Sequence, residues 1–328
     1  MKRSIVVLVV VLALLFVISA CAPVAQPVQE PTEKEVAVEE VVEEQKEEEA
    51  AGEGTPKAVV EITDSLGREI TFESVPQTIV SLTPSATEIV YALGAGDKVI
   101  GVDAYSNFPE EAALNEMVGD FNGPDIEKIV SLEPDVVIAD NMIQTDAIAD
   151  LENLGIVVVA ASSSTLEGIP ETIEILGEML GEQDKAAALV EGIKDVEAAV
   201  IEKGKGITEK PTVYVVLSYG DMGNWTSGPG SFLNAMIEAA GAIPATADGG
   251  AVWMEYVMED LIAIDPDILI VTNDGFTTAQ GVMEAEGYKE LTAVKEGRVY
   301  DINADIASRP GPRISQAMQI ISDIVTNN

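Results

Sequence analysis

The chain has 328 residues, of which 47% are apolar, and carries a formal charge of −39. That length and apolar content suffice for two α/β lobes with substantial cores. Such acidity makes nucleic-acid phosphates and anionic lipid poor partners. The absence of histidine excludes His-ligated zinc or haem and Ser-His-Asp or Cys-His catalysis, and the single cysteine excludes an intramolecular disulfide or thiolate cluster.

In chain order, Lys2-Arg3 and the apolar run 4–17 form the n- and h-regions of a signal peptide spanning 1–20. It is too short for a typical membrane-spanning helix. Ile18-Ser19-Ala20-Cys21 resembles a bacterial-type lipobox, and that resemblance implies that Cys21 becomes the lipidated first residue of a lipoprotein. Residues 21–57 are rich in Glu, Val, Ala and Pro. Such a segment cannot bury enough apolar surface to offset ordering entropy, so it is expected to be a flexible acidic tether.

A first α/β lobe is expected over 58–165. It opens on a β-hairpin with Leu66-Gly67 near its turn. A strand over 78–82 leads into a helix that starts at Pro84-Ser85 and is closed by Gly94. Strands follow over 99–102, 136–139 and 156–160, with a helix over 144–153. Residues 168–204 hold no strand signal, and 166–205 is expected to form the interlobe helix. Helical spacing of Ile169, Ile173, Leu176 and Leu180 is interrupted at Gly181, and a long helix follows over 182–203. A stiff helical connection between lobes limits hinge motion.

A second α/β lobe is expected over 206–328. Thr212–Leu217 is a strand, and Tyr219–Gly230 a Gly-rich loop holding Trp225. Ser231 caps a helix ending at Gly241. A loop carrying Trp253 precedes strand 268–272, a helix near 279–286, strand 298–302, the loop Ser308–Arg313 and a final helix over 314–326.

One stretch occurs twice. I-E-K-I-V-S-L-E-P-D-V-V-I over 126–138 matches M-E-D-L-I-A-I-D-P-D-I-L-I over 258–270, with Glu127 aligned to Glu259 and Pro134-Asp135 to Pro266-Asp267. Each copy reads as a short helix broken at proline and feeding a buried parallel strand. Repetition at domain-sized spacing predicts two similar lobes. A glutamate in a first helical turn is ordinary, because the helix dipole stabilises it. Two at matched positions also present a symmetric acidic pair to a basic, two-fold partner.

No catalytic constellation emerges. Ser227 lies in T-S-G-P-G, which is not a nucleophile elbow, and there is neither a Walker loop nor a strand-linked G-x-G-x-x-G. In α/β sheets, ligands bind beyond the carboxyl ends of the strands. Aromatic residues are only 5% of the chain, yet Tyr105, Phe108, Phe121, Trp225, Trp253 and Phe276 all fall in such loops. Their faces suit a large flat ligand, although each can also anchor its loop to the core. Arginine is limited to Arg3, Arg68, Arg298, Arg309 and Arg313. Arg309, held between Ser308 and Pro310, is a candidate ligand contact, whereas Arg313 is expected to pair with a carboxylate or point into its helix.

The segments S-L-T-P-S-A-T-E-I-V-Y-A-L-G, Y-S-N-F-P, D-I-E-K-I-V-S-L-E-P-D-V-V-I and R-P-G-P-R-I, in that order, resemble the periplasmic-binding proteins of ABC importers for vitamin B12 and iron–siderophores. The similarity covers about residues 58–328. It implies an α/β fold of two Rossmann-like lobes with parallel sheets, joined by one long rigid α-helix, with the ligand in the cleft. It implies ligand contacts from Tyr105, Phe121 (a Trp in the B12 binder), Trp225 (a Phe there), Trp253 and Arg309. Glu127 and Glu259 would dock onto the permease dimer, which works with its ATPase subunits. The expected ligand is a corrinoid, the alternative a ferric siderophore; haem- and cation-binding relatives use His ligands, absent here. The expected protein is a non-enzymatic, lipid-anchored monomer on the outer face of the cytoplasmic membrane, with no cofactor or metal of its own. An extracytoplasmic enzyme or a surface sensor on the same scaffold are the remaining alternatives.

Overall fold

Runs that are apolar on both faces, such as Val136–Ala139 and Ile268–Val271, need cover from both sides, and parallel sheets provide it. A computed structural model describes residues 59–120 and 123–328 of the chain. The expected signal peptide, Cys21, the tether and Phe121 lie outside the described residues. The described residues fall within one compact unit, Gly54–Asn328.

The first lobe begins with the antiparallel hairpin β1 (Val60–Thr63) and β2 (Glu69–Phe72), turned at Gly67, whose φ is +73°. Its main sheet contains β3 (Ile79–Ser81), β4 (Val99–Val102), β5 (Glu116–Met117), β6 (Val136–Ala139) and β7 (Val158–Ala160), all parallel, in the order β5-β4-β3-β6-β7. Helices α1 (Pro84–Ala92), α2 (Ile126–Ser131) and α3 (Thr145–Asn153) make the connections. Thr83 caps α1 by accepting the Ala86 N–H, with Pro84 at the first helical position.

The connection consists of α4 (Gly168–Leu180) and α5 (Gln183–Gly204), broken where Gly181 takes a left-handed φ of +71°. The long helix of the sequence reading is α5.

The second lobe holds the parallel strands β8 (Thr212–Val216), β10 (Ile243–Pro244), β12 (Ile268–Asn273) and β13 (Val299–Asn303), in the order β10-β8-β12-β13. Beside it lies a small antiparallel pair, β9 (Trp225–Ser227) with β11 (Trp253–Glu255). The helices are α6 (Phe232–Ala239), α7 (Met258–Ile264), α8 (Ala279–Glu284), α9 (Thr292–Lys295), α10 (Ala304–Ser308) and α11 (Ile314–Thr326).

Side chains alternate between two cores along each strand. Val136 and Ile138 join one hydrophobic cluster, Val137 and Ala139 another. Val213 and Val215 likewise face away from Tyr214 and Val216. The first cluster is continuous through both lobes, because Ile173 and Leu176 of α4, Val190 and Ile193 of α5, and Met318 and Ile321 of α11 belong to it. The connection is therefore packed into both lobes rather than strung between them.

The repeat folds as a matched pair down to its backbone. Glu133 and Asp265 both adopt positive φ, 48° and 47°, directly before Pro134 and Pro266. Proline disfavours the right-handed helical region for the residue before it, so each helix ends there. Asp135 then accepts N–H bonds from Gln77 and Thr78, and Asp267 accepts from Thr212 N–H and Oγ1. The repeated Pro-Asp thus latches each helix–strand unit to the start of the neighbouring central strand, β3 or β8.

Candidate ligand-binding cleft

Strand carboxyl ends leave backbone groups unpaired, and the loops that follow them gather around an interlobe cleft of about 740 Å³. The first lobe contributes Thr83, Pro84 and Ser85 after β3, Tyr105 after β4, Asp140, Met142 and Ile143 after β6, and Ser163 and Ser164 after β7. The second contributes Leu217 after β8, Phe232 and Trp253, Thr272 and Asp274 at the end of β12, and Ala304, Asp305 and Ser308–Pro310 after β13.

Two aromatic side chains, Tyr105 and Trp253, line the wall, and Phe232, only 2% exposed, packs against the second of them. Tyr105 is 56% exposed, leaving its ring accessible. Trp253 is half-buried and meets Phe232 edge-to-face at 5.3 Å between centroids. Trp253 is placed by β11, whose partner β9 turns through T-S-G-P-G. A Cβ at Gly228 would lie 2.0 Å from the Ala251 carbonyl oxygen, so this motif is a close-approach backbone device.

Two rim carboxylates fold back onto their own loops. Asp140 accepts the Met142 and Ile143 N–H groups at 2.7 and 2.9 Å; Asp274 accepts those of Phe276 and Thr277 at 2.8 and 2.6 Å. These are matched Asx turns closing β6 and β12. Asp305 is the third carboxylate in the lining. Behind Tyr105, burial pushes the Asp103 carboxyl above the usual range, against the opposing effects of the Ser106 hydroxyl, the Tyr105 N–H and the Arg309 charge.

Arg309 lines the cleft, but its guanidinium is committed within the protein. Nη1 donates to Glu88 Oε1 at 3.0 Å and Asn107 Oδ1 at 2.9 Å; Nη2 donates to the Tyr105 carbonyl at 3.1 Å and Asp305 Oδ1 at 2.7 Å. Arg313 pairs bidentately with Glu88, as a carboxylate partner was expected to do.

Of the sequence candidates, the cleft therefore brings together Tyr105, Trp253 and Arg309. Trp225 is not among the lining residues; it sits on β9 opposite Glu255, 43% exposed. Phe108 lies under the Arg313 guanidinium, 3.9 Å from its ring centroid, and Phe276 is 89% exposed. Phe232, which packs on Trp253 at the cleft, is not among the sequence candidates. Its place at the first position of α6, right after the Ser231 cap, was the available signal. Glu127 and Glu259 are exposed in the first turns of α2 and α7. Among the described residues, no group of three or more acidic or Cys side chains is arranged to hold a metal ion. A hydroxyl-lined pocket of about 520 Å³ adjoins the cleft through Met142, Ser163 and Ser164.

The profile of the periplasmic binding protein family matches residues 79–306. An uncharacterized ABC transporter substrate-binding lipoprotein, YvrC of Bacillus subtilis, is 36% identical over 81% of this chain and 85% of its own length. The cobalamin-binding protein of Halobacterium salinarum is 28% identical over 80% of this chain and 73% of its own. Among solved structures, the periplasmic vitamin B12 binding protein BtuF of Vibrio cholerae aligns with a TM-score of 0.67 at 27% identity, covering 77% of this chain and 98% of that one.

Proposed function

The chain belongs to the periplasmic binding protein family, and on that footing we propose that it is an extracytoplasmic substrate-binding protein that captures a corrinoid and passes it to an ABC importer. The observation carrying the ligand class is the charge and texture of the cleft wall. Tyr105 and Trp253 offer ring surface, with the buried Phe232 packed against Trp253, while Ser163, Ser164 and Ser308 offer hydroxyls. The lining carboxylates are Asp140, Asp274 and Asp305, and its one cation, Arg309, is held by protein acceptors. Such a wall suits a large ring ligand that is uncharged or cationic and fringed with amides, which hydroxyls and carboxylates bond. It disfavours a polyanion, whose charge would meet three carboxylates without a free cation.

The cobalamin-binding relative supports the corrinoid reading. The second reading, a ferric siderophore, fits the same wall if the chelate is an uncharged or cationic hydroxamate rather than an anionic catecholate. No resident cofactor or catalysis is part of either reading. Cys21 would carry the lipid anchor, and Glu127 and Glu259 would meet basic pockets of the permease.

Visible-absorbance titration of the full chain against cyanocobalamin, a ferric hydroxamate and a ferric catecholate tests the ligand class. Saturable one-to-one binding of the corrinoid is expected, weakened at least about tenfold by Trp253→Ala through loss of ring contact. Binding of the hydroxamate alone would move the assignment to the siderophore, and binding of the catecholate alone would overturn the charge argument.

A further inference from the structure

Glu88 lies within α1, a helix of the first lobe, with its side chain only 2% exposed. A buried carboxylate is costly unless it is paired. Both its oxygens are taken by arginines of the second lobe. Arg313 Nε donates to Oε2 at 2.7 Å and Nη2 to Oε1 at 2.6 Å, while Arg309 Nη1 reaches Oε1 at 3.0 Å. The two arginines are themselves nearly buried, at 10% and 17% side-chain exposure. They extend the contact across the first lobe's loop after β4. Arg309 binds the Tyr105 carbonyl and Asn107, and Arg313 lies over Phe108. The loop bearing them is stiffened by Pro310 and Pro312 and runs close against the Ser85 backbone at Gly311.

We infer that Glu88, Arg309 and Arg313 form a charged clamp between the lobes that fixes the width of the cleft before any ligand enters. The packed helical connection α4–α5 is one tether between the lobes. The clamp is a second, and two tethers suppress rotations that one alone permits. Glu88 is absent from the cleft lining, so it acts as a positioning residue, through the Tyr105 backbone and Arg309. Its removal leaves two guanidinium groups facing one another without their shared counter-ion. The attraction that draws this loop onto α1 of the first lobe is then lost, and the lobes are held by the helical connection and their remaining contacts.

The inference rests on the contacts between lobes and not on the identity of the ligand. Nitroxide labels at Asp146→Cys in α3 and Gln280→Cys in α8, in the full chain carrying Cys21→Ser, report the interlobe distance by pulsed dipolar spectroscopy without ligand. The parent should give one narrow distance. Glu88→Ala should broaden it, and the triple variant with Arg309→Ala and Arg313→Ala should be no broader than Glu88→Ala alone, since both break the same cross-lobe pairs. Arg313→Lys keeps the charge but loses the fork, so it should broaden the distribution to a lesser degree. It also serves as the readout if Glu88→Ala does not fold. A distribution in these variants superimposable on the parent, even with a lowered Tm, would overturn the clamp and leave Glu88 a merely structural residue. Added cyanocobalamin should narrow the Glu88→Ala distribution and bind it at least about tenfold more weakly than the parent. Failure of the parent itself to bind cyanocobalamin would refute the ligand assignment while leaving the distance result standing.

Discussion

At the scale of single residues, two buried carboxyl groups, Asp64 and Asp103, respond to acid with opposite sign. Burial alone would raise the Asp64 carboxyl. Hydrogen bonds from the Arg68 guanidinium and from the backbone N–H groups of Arg68 and Ala160 outweigh that and hold it below the usual range. A depressed folded-state pKa gives stability that is present above the unfolded value, about 3.9, and lost as pH falls through the folded value. Asp103 is the reverse. Its raised pKa gives stability that is present below the unfolded value and lost as pH rises through the folded one. The fall in Tm between pH 6 and pH 3 should therefore be shallower in Asp64→Asn than in the parent, and steeper in Asp103→Asn. Equal slopes in all three proteins would show that neither group carries the acid response. None of this was legible in the sequence, because the Ala160 N–H that helps set Asp64 arrives from a distant strand.

At the scale of elements, the repeated helix–strand unit was legible almost to the residue. Its apolar spacing, its proline and its β-branched run all point the same way. The purpose of its Pro-Asp pair was not, since Thr78 and Thr212 precede their partners by more than fifty residues. Thr212→Val preserves the β-branched shape favoured in strands and removes the hydroxyl that bonds both Asp267 N–H and Oδ2. It should cost about 1 kcal/mol, seen as a lower urea midpoint at unchanged m-value. An unchanged midpoint would mean that the latch contributes no stability. Trp225 and Trp253 show the opposite case. The sequence places them in loops, and the fold pairs them as two three-residue strands, too short for any periodicity to be read.

At the scale of the whole molecule, one hydrophobic cluster runs through both lobes and their connection, so the cleft is bounded by parts that share a core. On the outer surface, Glu127 and Glu259 stand at equivalent places in the two lobes, exposed and in first helical turns. Charge reversal of both, Glu127→Lys with Glu259→Lys, should abolish stimulation of the importer's ATPase activity while leaving equilibrium ligand affinity within about twofold of the parent, since neither side chain lines the cleft. An equal loss of ligand affinity would show that these glutamates belong to the binding site instead.

What the sequence determined by itself is what local chemistry encodes: the two-lobe α/β plan, carried by repeated apolar periods and helix-breaking prolines, and the absence of histidine chemistry. It also singled out Tyr105 and Trp253 as candidates, because aromatic residues are scarce, and both line the cleft. Only the tertiary structure shows what Arg309 pairs with. Its position in a proline-held loop is compatible both with lining the cleft and with bonding Glu88, and the bond depends on α1, from the other lobe, reaching the same point in space. The same holds for Trp225 outside the cleft lining and Phe232 within it. Side-chain direction at a lobe boundary is set by how two separately encoded units pack, and that packing has no period in the chain.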